Sequence, residues 1–68
     1  MNKETFNVKG MSCEHCVSAI EGSVGQLKGV ADVRVDLSKG QVEVKFDPSV
    51  ITREKIIETI DHQGYDVD

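Results

Sequence analysis

Val33-Arg34-Val35-Asp36-Leu37-Ser38-Lys39-Gly40-Gln41-Val42-Glu43-Val44-Lys45-Phe46 decides the fold of this 68-residue chain. Val33, Val35 and Leu37 alternate with polar residues, and Val42, Val44 and Phe46 do the same on the return. Successive side chains of a strand point to opposite faces, so the pattern marks two half-buried strands. Ser38-Lys39-Gly40 supplies the tight turn between them, with Gly40 free to take a positive φ. The stretch is a β-hairpin in the middle of the chain.

On the N-terminal side of the hairpin, Val17, Ile20, Val24 and Leu27 recur at steps of three and four. That is one face of an amphipathic helix, beginning near Cys13. Gly22 and Gly25 weaken this helix by roughly 1 kcal/mol each relative to Ala, which its packed face must offset. Gly29 stands where a left-handed cap would end it. Earlier still, Phe6 and Val8 alternate around Asn7 as a short strand, which Gly10 interrupts. On the C-terminal side, Asp47-Pro48 stops the second hairpin strand. Thr52 is placed to cap a second helix, whose face is Ile56, Ile57 and Ile60. Gly64 closes that helix, and Tyr65 and Val67 alternate as a last edge strand.

The order is strand, helix, strand, strand, helix, strand. With right-handed crossovers this predicts an α+β, ferredoxin-like βαββαβ sandwich: a four-stranded antiparallel sheet with two helices on one face. The other face meets solvent, which accounts for the charged residues between the apolar strand positions. Residues 1–68 read as a single domain with no linker or low-complexity tract.

A domain this small buries only roughly 60% of the surface its unfolded chain exposes. There is little room for a deep cavity, so a functional site must lie on a loop or a helix end. The chain carries 8 Lys and Arg against 12 Asp and Glu, a net charge of −4. Its basic residues are spread singly from Lys3 to Lys55, with no block of the kind that displaces counterions from nucleic acid. No apolar run approaches the ~20 residues of a membrane span. Met-Asn-Lys-Glu-Thr-Phe at the start has no apolar targeting core. The expected setting is cytoplasmic, without membrane insertion. Met1 and an end just past the last strand point to a free-standing product.

Both cysteines lie in Gly10-Met11-Ser12-Cys13-Glu14-His15-Cys16, three positions apart at a helix entrance. In a reducing compartment such a pair serves a metal or redox exchange sooner than a structural staple. Unpaired N–H groups and the partial positive charge of a helix N-terminus favour thiolate over thiol, so a lowered cysteine pKa is expected. Thiolates are soft ligands and select Cu(I), zinc or iron–sulfur clusters. Structural zinc usually takes four ligands, and this chain offers two thiols. His15, between them, is a candidate third ligand, whereas His62 is distant in sequence. Two thiolates satisfy Cu(I) and leave a coordination position open.

The motif, its placement and the element order around it closely resemble the heavy-metal-associated domain over essentially the whole chain. Among its members the chain is most similar to the small bacterial copper chaperones. Gly64-Tyr65 matches their pattern, in which an aromatic hydroxyl lies near the metal loop. The resemblance implies that Cys13 and Cys16 bind Cu(I) and that Met11 packs inward to shape the loop. It implies transfer by thiolate exchange to the N-terminal metal-binding domain of a copper-transporting P-type ATPase, or to a copper-responsive repressor. Zinc-type relatives add a carboxylate beside the first cysteine; Ser12 in that place leans toward copper. Zinc and mercury stay open as alternative cargoes because their carriers share the fold. Ser12 is otherwise a residue that bonds local backbone at a helix start, and Glu14 an acid matched to the helix dipole. His15 reads as a solvent-facing neighbour that tunes access and pH response. Tyr65 reads equally as a strand aromatic and as a support for the metal loop. The open coordination position also predicts a copper-bridged homodimer.

The rival is a thiol–disulfide oxidoreductase, since Cys-x-x-Cys at a helix N-terminus is also the redox arrangement. His15 between the cysteines resembles some oxidising variants. Against it, the chain is short for a thioredoxin-like fold and has no Trp. Its single proline, Pro48, follows a strand and precedes the second helix. The expectation is a metal-transfer protein that is not an enzyme.

Overall fold

The structure is a computed structural model that describes residues 2–11 and 14–68. In chain order the elements are β1 (Asn2–Lys9), α1 (Glu14–Gly25), β2 (Val30–Asp36), β3 (Gln41–Phe46), α2 (Arg53–His62) and β4 (Asp66–Val67). The strands form one four-stranded sheet in the order β2-β3-β1-β4, antiparallel throughout. β1 and β2 therefore run parallel with β3 between them, and β3 and β4 run parallel with β1 between them. Two interlocked split β-α-β units result, as the element order predicts.

The pairing register separates the two faces of the sheet. Phe6, Val42 and Val35 form one cross-strand row, and Val44 and Val33 lie beside each other in the next. Phe6, Val8, Val42, Val44 and Phe46 are buried, together with Ile20 and Val24 of α1 and Ile56 and Ile60 of α2. Each such aliphatic side chain contributes about 1.5–3 kcal/mol by leaving water. The alternate rows, Lys3, Lys45 and Asp32, then Thr5, Glu43 and Arg34, are polar and carry the Lys3–Glu43 ion pair at 3.8 Å. The pairing of β2 with β3 shifts register between Val30 and Asp32. That extra residue re-phases the strand, so Val30 joins Val33 and Val35 in packing on the core.

Three local expectations need correction. β2 ends at Asp36, and Leu37 is 36% exposed in the turn instead of continuing the alternation. The carboxylate of Asp36 accepts from the Ser38 hydroxyl at 2.6 Å and from the Ser38 and Lys39 amides, so the chain turns one residue early. α1 ends at Gly25, before Leu27, which packs against the core from the following turn. Gly29 has φ +99 but acts four residues beyond the helix, at the entry to β2. A Cβ there would lie 2.8 Å from Val50 Cγ1, so close packing also requires glycine at this point.

The second helix begins and ends as expected. Thr52 is extended at φ −97 and ψ 158, and its hydroxyl accepts from the Lys55 amide at 3.2 Å. Gly64, at φ +94, donates its amide to the Asp61 carbonyl at 2.9 Å. Among the described residues no helix is long and apolar enough to cross a membrane.

Candidate metal centre

The register places the end of β1, the β2–β3 turn and the start of β4 at one pole of the sheet. Asn7 pairs with Gln41, Lys9 pairs with Asp66, and the Val8 amide donates to the Gly40 carbonyl at 2.8 Å. The cysteine segment leaves the sheet at this pole. Gly10 makes the turn at φ +95, a conformation that side chains with a Cβ resist. Met11 follows, half-buried against the core. Ser12 and Cys13, the first of the two sulfur ligands expected from the sequence, lie outside the described residues.

Cys16 occupies the first turn of α1 and is 7% exposed. Its thiol donates to the Gly10 carbonyl at 3.9 Å, a long contact suited to sulfur. Burial follows from helix geometry. Cys16, Ile20 and Val24 recur every four residues and form the inward stripe, with Val17 half-buried at its side. The sequence pattern starts this stripe at Val17; counting Cys16 as a small apolar residue moves it one position back. Cys16 thus sits under the pole, largely buried.

His15 is exposed while its neighbour Cys16 is buried, so the two side chains diverge. Among the described residues no three His, Cys, Asp or Glu side chains converge to hold an ion. Tyr65 is half-buried on the same core as Met11. A Cβ on Gly10 would lie 3.6 Å from Tyr65 Cδ1, so the ring stands directly beside the turn into the cysteine segment. Sequence spacing left Lys9 and Asp68 unremarked, yet they form an ion pair of 3.6 Å at the base of this segment. No local pattern marks them, because they meet only through the β1–β4 pairing.

A two-layer ferredoxin-like fold whose Cys-x-x-Cys sequence follows the first strand and runs into the first helix defines a small metal-carrying module. The profile of the heavy-metal-associated domain matches residues 5–66, and the chain belongs to this family. It is 49% identical over 67 residues to the copper chaperone CopZ of Bacillus subtilis strain 168, covering 98% of this chain and 97% of that protein. The solved structure of a CopZ metallochaperone superposes with a TM-score of 0.97 at 42% identity, over 98% of this chain and 100% of that one. A copper-binding domain of the P-type ATPase HMA7 superposes with a TM-score of 0.96 at 31% identity, over 100% of this chain and 92% of that one.

Proposed function

We propose that this protein is a Cu(I) chaperone of the cytoplasm that holds the ion between Cys13 and Cys16 and acts by transfer, without catalysis. The observation that carries the reading is the position of Cys16, in the first turn of α1 directly under Gly10 at the loop pole. Cys13, a second soft ligand, stands three residues earlier in the sequence, the spacing of a two-thiolate set. The likeness to copper chaperones along nearly the whole chain supports copper over zinc or mercury. Ser12 in place of a carboxylate supports it too.

On capture, the two thiols lose their protons to solvent and two Cu–S bonds form. A partner thiolate then adds to the ion, giving a three-thiolate intermediate. One chaperone thiolate leaves as a second partner thiolate adds, the other chaperone thiolate then leaves, and copper stays Cu(I) throughout. The recipient is the N-terminal metal-binding domain of a copper-transporting P-type ATPase. The likeness to a copper-binding domain of a P-type ATPase supports this, since donor and acceptor would then offer one ligand chemistry on one scaffold. Delivery to a copper-responsive repressor and a copper-bridged homodimer use the same open coordination position.

Anaerobic Cu(I) titration against a colorimetric chelator tests the reading. The wild-type protein is expected to withdraw one Cu(I) per chain. Unchanged copper uptake after replacing both cysteines by serine would overturn it.

A further inference from the structure

The base of the cysteine segment is held from two sides. On one side the Val8 amide donates to the Gly40 carbonyl at 2.8 Å, next to the long pairing of β1 with β3. On the other side Val8 pairs with Val67 and Lys9 with Asp66. The Asp68 amide donates to the Asn7 carbonyl at 2.8 Å, and Lys9 Nζ stands 3.6 Å from Asp68 Oδ1. Tyr65 lies beside Gly10, and Tyr65, Val67 and Met11 pack against one core.

The two sides differ in strength. β4 has only two residues and joins α2 through Gly64, which holds φ +94. Its ion pair is solvated, with the two side chains 70% and 62% exposed. Short edge elements with few apolar contacts and exposed hydrogen bonds open first. Tyr65, immediately before β4, stands beside the turn at Gly10.

We propose that Tyr65–Asp68 is a positioning segment for the cysteine loop, hinged at Gly64. Docked on β1, it holds Gly10 and Met11 in place; when it lifts, both are released in the same event. Motion of Gly10 and Met11 and opening of β4 are then a single equilibrium. Only its consequence, faster exchange of the ion with a partner, rests on the copper-transfer reading. The coupling itself belongs to the metal-free protein.

Relaxation-dispersion NMR of the reduced, metal-free protein tests it, with the variants Val67→Ser and Val67→Ile. Val67→Ser is expected to raise the open population about tenfold at Val67 and Asp68, and equally at Gly10 and Met11, with one shared rate. Val42 and Val44 should stay at wild-type values, and Val67→Ile should restore wild-type behaviour. Faster motion of Val67 and Asp68 with Gly10 and Met11 unchanged would overturn the proposal. Should Val67→Ser fail to fold, relaxation dispersion of the wild type decides. One shared rate and population at Asp68 and Gly10 support a single equilibrium, and different ones overturn it. A Cu(I) titration in parallel separates the two readings: coupled motion without copper binding refutes the chaperone and leaves the hinge standing.

Discussion

The thiol of Cys16 reaches back 3.9 Å to the carbonyl oxygen of Gly10, tying the first turn of α1 to the last turn before the cysteine segment. The sulfur that is expected to hold the ion is therefore also part of the inward stripe of the helix. Ligand and packing roles meet in one side chain.

That double role predicts how Cys16 tolerates change. Cys16→Ser keeps a donor for the Gly10 carbonyl, so stability should fall by no more than about 1–3 kcal/mol. Cu(I) affinity should fall at least 100-fold, beyond the roughly 10–100-fold that loss of a supporting outer partner costs. Urea denaturation and chelator competition measure the two effects separately. A copper affinity within tenfold of wild type would remove Cys16 from the ligand set.

Glycines at four positions should respond to alanine in different ways. Gly22 lies in α1 with nothing near the position of a Cβ, so Gly22→Ala is expected to stabilise by about 0.5–1 kcal/mol. Gly10 and Gly64 are constrained by positive φ alone, and alanine there should cost about 1–2 kcal/mol. Gly29 combines φ +99 with contacts of 2.8 Å and 2.9 Å to Val50, so Gly29→Ala should be the most damaging of the four. Denaturant midpoints rank them, and a Gly29→Ala protein as stable as Gly10→Ala would refute the packing argument.

Two aspartates are held below the ordinary carboxylate range by neighbouring hydroxyls. The Ser38 hydroxyl, more than any other group, holds the Asp36 carboxyl below its ordinary value, and the Ser49 hydroxyl does the same for Asp47. A carboxylate with a lowered folded pKa contributes stability above its unfolded pKa and loses it as pH falls through the folded value. The contribution is thus complete at neutral pH and fades only below the ordinary aspartate range. Both groups are solvent-exposed, so the effect on stability is small and the titration itself is the better readout. Ser38→Ala should move the Asp36 midpoint upward in a carboxyl NMR titration and leave Asp47 in place. Equal Asp36 midpoints in the two proteins would contradict the assignment.

The redox rival makes the opposite forecast in an insulin-reduction assay. Pro48 follows Phe46, which pairs with Asn2, so it stands at the pole of the sheet opposite Gly10. It cannot cradle a substrate disulfide at the cysteine segment. Turnover no faster than dithiothreitol alone is expected, alongside full Cu(I) uptake; sustained insulin reduction would favour the oxidoreductase.

Much of this was legible along the chain because it is local. The alternation of Val42, Val44 and Phe46, the cap at Thr52 and the stop at Gly64 each rest on a few adjacent residues, and each is present. The misreadings occur where a distant contact overrides a local signal. Gly29 looks like a helix cap, but Val50 and Ile51, far along the chain, set its constraint. Leu37 looks like a strand residue until the carboxylate of Asp36 gathers the Ser38 and Lys39 amides.

Composition, periodicity and the Gly10–Cys16 run by themselves determined the class of fold and the order of its elements, and pointed to soft-ligand chemistry. These depend on side-chain type and on spacing within single elements, which sequence carries directly. Only the tertiary structure decided that Cys16 is buried, that His15 diverges from it, that Tyr65 stands beside Gly10 and that Lys9 pairs with Asp68 at the base of the loop. Those relations are set by strand register and by the packing of α1 on the sheet. Contacts between residues tens of positions apart leave no mark on any local stretch of sequence.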